Sequence, residues 1–194
     1  MIPTSDRGAR IDWSFETPRV RARLVDERDR DLYRQLYTSP EVMAFVGPVL
    51  DVAAADEVFA RVCRYNAEST MRARYWCLVH RRTDEAVGVF ALVRKTPADP
   101  DCELGIMLLP SWSARGIAPL VLRASIEAAM SGRWGDGLDS LIGRHAPGNS
   151  VIGRIGAFFG FRPFDSPQGY PCGWRITREE WRLAHGRQSR IRAA

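Results

Sequence analysis

No stretch of this sequence is apolar for long enough to cross a membrane, and its opening residues join no basic region to an uninterrupted apolar core. Neither a spanning helix nor a secretory leader is therefore expected. Cysteine is scarce: Cys63, Cys77, Cys102 and Cys172 show no C-x-x-C spacing and stand beside apolar or strand-like residues. That pattern argues against a metal site or a disulfide framework and for buried free thiols in a reducing compartment. Charge is not concentrated either. The net charge is a modest +5 and the basic residues are spread along the chain, which disfavours a nucleic-acid surface but suits an anionic small molecule. There is no internal repeat and no linker long enough to divide the chain. The expectation is a soluble cytoplasmic protein without membrane, nucleic-acid or metal partners, and the sequence sets no oligomeric state.

What is present suits one domain. A chain of 194 residues, 45% of them apolar, has the size and content for a single sizeable core. It divides into an N-terminal arm over 1–16, a domain over 17–184 and a basic tail over 185–194. Strands are expected at 19–25, 74–80, 86–94 and 102–108, and the charged connector Arg81-Arg82-Thr83-Asp84-Glu85 makes a hairpin of the second and third. Helices are expected over Asp26–Leu36, from Ser39-Pro40-Glu41 with Ser39 as cap, and over Ala53–Ala67. Leu32, Tyr33, Leu36 and Tyr37 read as core packing, whereas Val42, Met43, Phe45 and Val46 either pack or line a pocket. A helix from Ala118 brings a strand at Leu138–Arg144 parallel to 102–108. Asn149–Phe158 reads as a helix although Gly148, Gly153 and Gly156 weaken it, and Gly160 ends it. A last strand at Gly173–Ile176 leads into Thr177-Arg178-Glu179-Glu180, a capping box. The fold class is α/β (α+β), a mixed, mainly antiparallel sheet flanked by helices.

The chemistry concentrates between Cys102 and Met130. The run to Pro110 is strand-like, Ser111 to Ala118 is a short loop containing Gly116, and Leu120, Val121, Ala124, Ile126, Ala128 and Ala129 follow at mostly helical spacing. A loop placed just before a helix offers unpaired backbone N–H groups to an anion, so it is a candidate phosphate or pyrophosphate cradle. Arg115 adds charge or is simply an exposed loop cation, and Gly116 permits close backbone approach or serves the turn alone.

Pro110, Arg115-Gly116-Ile117-Ala118 and the helix after them resemble the acyl-CoA pyrophosphate loop of the GNAT acyltransferases, in particular the branch of ribosomal-protein N-terminal acetyltransferases. Glu103-Leu104-Gly105 before the loop, and Asn149, Arg154 and Phe159-Gly160-Phe161 after it, resemble that branch in the same order, and the likeness runs from about Thr17 to Trp181. The resemblance implies that strands 102–108 and 138–144 splay apart after pairing. It also implies acetyl-CoA as cofactor. Backbone groups near Met107, Leu108 and Leu109 would hold the pantetheine and acyl carbonyl, with Ser113, Ala114, Arg115, Gly116, Ile117 and Ala118 at the pyrophosphate. Asn149 would bond the pantetheine or cap its helix, with Arg154 nearby.

Transfer from a thioester to an amine needs a neutral amine, a stabilised oxyanion and a proton for the leaving thiolate. Glu103 is a candidate general base, and equally an ammonium ligand or a solvated carboxylate. His145 is a second proton acceptor or a polar loop residue, and Tyr170 or water is left to protonate the thiolate. Four positions depart from the pattern: Ser113 where Gln, Arg or Trp is usual, Ala114 for the first Gly, Leu120 for Glu, and Ile152 for Ser. The function implied is an acetyl-CoA-dependent N-acetyltransferase acting on a peptide or protein N-terminus or a small-molecule amine. The alternative is a noncatalytic acyl-CoA-binding or regulatory module, with nucleic-acid binding a distant third.

Overall fold

The computed structural model describes residues 11–68, 71–135, 138–146, 148–165 and 172–191. Eight strands form one twisted sheet: β1 (Phe15–Glu16), β2 (Val20–Leu24), β3 (Ala73–His80), β4 (Ala86–Val93), β5 (Asp101–Leu108), β6 (Ser140–His145), β7 (Arg162–Phe164) and β8 (Cys172–Thr177). Their order is β1-β2-β3-β4-β5-β6-β8-β7, and every neighbouring pair is antiparallel except β5 and β6. The helices are α1 (Arg30–Tyr37), α2 (Pro40–Met43), α3 (Val52–Ala67), α4 (Ile117–Met130), α5 (Ser150–Phe158) and α6 (Arg178–Ile191). The mixed α/β class and the main elements agree with the sequence pattern. The short edge strands β1 and β7 are additions, so the sheet already begins inside the span read as an arm.

Two apolar layers cover the sheet, one on each face. On one side α1 and α3 lay Leu32, Tyr33, Leu36, Phe59 and Val62 against Cys77, Val79 and Val89. On the other, α4 buries Ile117, Val121, Leu122 and Ile126 over Trp76, Phe90 and Leu92. The i, i+4, i+5, i+9 spacing of those α4 residues is the helical period that the sequence displayed. Trp76 and Trp134 form the aromatic centre with their rings 4.9 Å apart, and Phe15 closes on Trp134 at 5.7 Å. Such ring pairs contribute about 0.5–1.5 kcal/mol each beyond their buried area, which is how two residues of β1 are held at a sheet edge.

Local signals set the ends of several elements. The Ser39 hydroxyl accepts from the Val42 amide at 3.3 Å with Pro40 in the first turn, as the sequence implied. Glu180 accepts from the Thr177 amide at 2.9 Å while the Thr177 hydroxyl accepts from the Glu180 amide at 3.2 Å, completing the capping box. The glycines of α5 have a packing reason: a Cβ on Gly153 or Gly156 would stand 3.4 or 3.3 Å from the Trp174 indole of β8. The helix gives up intrinsic propensity there so that it can sit close on the sheet. At the base of the parallel pair, Asp101 of β5 accepts from the Ser140 hydroxyl of β6 and, at 2.5 Å, from Arg175 of β8, tying three strands together.

Candidate functional site

Strands β5 and β6 pair over only three positions, Asp101 with Ser140, Cys102 with Leu141 and Glu103 with Ile142. Beyond them β5 keeps β4 as its neighbour through Leu108 and β6 keeps β8 through His145, so the two strands part. Backbone groups of 104–108 on the edge away from β4 are left without a strand partner. A cavity of about 390 Å³ fills the split and is lined from both layers, by Tyr75, Val89 and Met107 on one side and Leu104, Leu122 and Phe159 on the other.

Glu103 stands at the fork. Alternation along β5 puts its side chain on the α1/α3 face, and alternation along β6 puts Arg144 there too. Arg144 Nη1 donates to Glu103 Oε2 at 2.5 Å, while the carboxylate side chain remains 41% exposed and keeps Oε1 for another donor. His145, one residue on, falls on the opposite face and is buried. Its Nε2 accepts from Trp174 Nε1 at 3.0 Å, which requires the ring proton on Nδ1, where it donates to the Ala146 carbonyl at 2.8 Å. Both ring nitrogens are engaged and neither faces Glu103. Tyr170 lies outside the described residues.

The loop that leads into α4 is shaped by two left-handed residues. Pro110–Trp112 forms a single 3-10 turn, then Ala114 adopts φ +56° and Gly116 φ +74°. The Ser113 amide is taken by the Leu109 carbonyl at 3.0 Å, but no backbone acceptor among the described residues takes the amides of Ala114 to Ala118. No side chain among the described residues caps α4. Successive free amides around left-handed residues at a helix start form a nest for an anion, reinforced by the helix dipole. The Arg115 guanidinium lies over the Trp112 ring at 5.3 Å, and Trp112 packs on His80 at 4.5 Å.

Arg19, the residue before β2, donates from Nη1 to the Arg115 carbonyl. A carbonyl and the following N–H point opposite ways across a planar peptide, so this bond turns the Gly116 amide away from Arg19 and into the nest. Asn149 precedes α5, makes no side-chain cap bond and lines the cavity. Arg154 is exposed beside a second groove of about 290 Å³ formed with Pro119, Ile155, Phe158 and Phe159, next to the first turn of α4. Met107 borders the cavity from the α1/α3 layer, and Leu108 packs into the α4 layer. The Leu109 amide is already bonded to the Val87 carbonyl at 2.9 Å.

The α1/α3 side of the cavity is aromatic. Tyr33 and Tyr37 stack at 5.7 Å, and burial raises the hydroxyl pKa of both and pushes that of Tyr75 up to about 12. Phe45 and Val46 border its mouth and stay largely exposed, whereas Met43 is buried, which divides the α2 segment between the two roles open to it. Arg19, Arg144 and these tyrosines are site residues that sequence reasoning did not single out. For Arg144 a signal existed: it immediately precedes His145, and alternation puts one of any such pair on the face of Glu103. Burial also pushes the Cys77 and Cys102 thiols up to about 12, which leaves them unreactive.

A family model described as "Acetyltransferase (GNAT) domain" matches residues 19–162 of this chain. Among solved structures, an acetyltransferase from Agrobacterium tumefaciens str. C58 superposes with a TM-score of 0.70 at 19% identity, covering 89% of this chain and 98% of that one. A spermidine N-acetyltransferase from Vibrio cholerae in complex with CoA and spermine gives 0.68 at 12%, covering 84% and 97%. A ribosomal L7/L12 alpha-N-protein acetyltransferase in complex with coenzyme A gives 0.66 at 13%, covering 83% and 95%. At these identities the likeness is one of fold. None of the curated proteins matches the chain by sequence.

Proposed function

This chain belongs to the GNAT acetyltransferase family, and from that premise we propose that it transfers acetyl from acetyl-CoA directly to a primary amine, that of a peptide or protein N-terminus or of a small molecule, as in the ribosomal-type branch. The observation that carries the reading is the forked strand pair, which joins a nest of free amides at one end to an accessible carboxylate at the other. The residues present fit the cofactor. The amides of Ala114 to Ala118 with Arg115 suit a diphosphate, the unpaired edge of β5 suits a peptide-like pantetheine arm, and Asn149 and Arg154 border its path.

When bound, acetyl-CoA supplies an acetyl group activated as a thioester. Glu103 takes the amine proton through its free Oε1, directly or by way of a water, while Arg144 fixes the carboxylate by holding Oε2. A backbone amide on the open edge of β5 near Met107 would hold the acetyl carbonyl oxygen as the N–C bond forms and the C–S bond breaks; CoA would leave as a thiolate that takes its proton from Tyr170 or water, and the apolar walls would limit bulk water around the transfer. Direct transfer fits the site better than a covalent acyl-enzyme, because no cysteine is among the described residues that line the cavity, and Cys77 and Cys102 are held as thiols by burial.

The test is calorimetric titration with CoA, followed by intact-mass screening of peptide and small-amine pools with acetyl-CoA. CoA binding together with acetylated amines is the expected result. CoA binding with no product in any pool would replace catalysis by a noncatalytic acyl-CoA-binding role, and absence of CoA binding would end both.

A further inference from the structure

The chemical class of the acceptor is written in the layer between β3–β5 and α1, and this inference rests on the acetyl transfer proposed above. Across the sheet, Tyr75, Ala91 and Gly105 stand in one row, so side-chain size falls toward the fork. A Cβ at Gly105 would meet nothing within 4 Å, and its φ is not left-handed. Neither packing nor backbone geometry accounts for the glycine, and a strand glycine of that kind marks the close approach of something other than the protein. The result is a bare stretch of Ala91 and Gly105 bounded by Glu103 and Met107 in a cavity that the stacked Tyr33 and Tyr37 also line.

Charge narrows the choice. Among the described residues that line the cavity, Glu103 and Arg144 are the formally charged ones, and they form an ion pair. The tyrosines stay protonated because burial raises their pKa values. A polycation or an anionic body would surrender its hydration here without receiving partners, whereas a flat apolar ring would not. Glu103 and Gly105 lie two residues apart on one strand face, about 7 Å, which suits a short link between amine and ring.

We propose that the acceptor is a primary amine joined through a short link to a flat, uncharged aromatic body, the ring lying on the Ala91–Gly105 stretch of the cavity that Tyr33 and Tyr37 also line and the amine meeting Glu103. A free arylalkylamine and a peptide with an aromatic first residue share this chemistry. Values of kcat/KM are compared for phenethylamine, a short peptide beginning with Phe, the same peptide beginning with Asp, and spermidine. The better aromatic acceptor exceeds the Asp peptide and spermidine by roughly 10- to 100-fold, and whichever aromatic acceptor leads identifies the source.

Gly105→Val fills that stretch with a residue suited to a strand. It lowers kcat/KM for the leading aromatic acceptor by roughly tenfold or more, while calorimetric CoA affinity and the melting temperature hold; Gly105→Ala gives a smaller loss in the same direction. Equal or faster acetylation of spermidine, or Gly105→Val turning over the aromatic acceptors at the wild-type rate, overturns the acceptor class and leaves acetyl transfer standing. CoA binding with no turnover of any amine overturns acetyl transfer itself, and the acceptor class with it.

Discussion

Ala114→Gly is expected to stabilise this protein, and Gly116→Ala to destabilise it. Ala114 holds φ at +56° in an exposed loop, where an L side chain costs about 1–2 kcal/mol against the ordinary helical region. Glycine removes that cost but returns about 0.4–1 kcal/mol of freedom to the unfolded chain. The net gain is about 0–1.6 kcal/mol, which for a chain of this size raises Tm by up to about 6 °C. Gly116, at φ +74°, reverses the sign. An added Cβ there would lie 4.0 Å from Arg19 Nη1, so the penalty is backbone strain and not collision. If CoA seats on the loop as it stands, the Ala114 strain is common to the free and bound protein and cancels from affinity, which should move by less than about twofold. Ala114→Val, branched at Cβ, should cost about 1–3 kcal/mol. Thermal melts followed by circular dichroism at fixed protein concentration measure all three. A lower Tm for Ala114→Gly, or an unchanged one for Ala114→Val, would refute the left-handed geometry on which the nest depends.

Glu103→Gln keeps an acceptor for Arg144 but cannot take a proton, so turnover should fall by about 10²–10⁴ with CoA affinity retained. Near-wild-type kcat across the pH profile would remove Glu103 as the base, and a raised KM with recovered kcat would make it an ammonium ligand. Arg19→Gln should weaken CoA binding by roughly three- to tenfold at little cost in Tm, because it frees the Arg115 carbonyl; an unchanged titration would show that the bond does not shape the nest. Cys77 and Cys102 have folded pKa values raised to about 12 by burial. Their contribution to stability is therefore complete below the unfolded value of about 8.5 and is lost as pH rises from there toward 12. Urea midpoints should fall across that window. Mass-mapped alkylation at pH 8 should label the partly exposed Cys63 and Cys172 before the buried pair, and early labelling of Cys102 would contradict its burial.

Most of the sheet was legible in the sequence because β2 to β6 are long enough to show alternation or apolar runs bounded by turns. The edge strands were not. β1 has two residues and β7 three, one of them Pro163, which reads as an interruption although an edge tolerates it. The cradle was legible as a loop before a helix, but Arg19 reaches it from 96 residues away, a contact no local pattern carries. Tyr33 and Tyr37 read as core packing, and Tyr33 is indeed buried and Tyr37 half-buried, yet they also border the cavity, since an apolar helix face gives the same spacing for either duty. The splay came from family resemblance. The apolar character of β5 continues to Leu108 whether or not β6 stays beside it, and only the three-pair register of the folded chain shows where they separate.

That short register leaves the sheet as a five-stranded part and a three-stranded part, joined in the sheet by three backbone pairs and the Asp101 and Glu103 crosslinks and beneath it by one shared apolar core. A cofactor seated in the fork would act as a surrogate strand for both. Folding and supply are then linked by mass action, since occupancy at a hundred times Kd adds about 2.7 kcal/mol to the folded state. Opening of β6, β8 and β7, and the proteolysis that follows it, would track the free cofactor concentration around the molecule. Its lifetime in a cell would become a readout of how much cofactor that cell can spare.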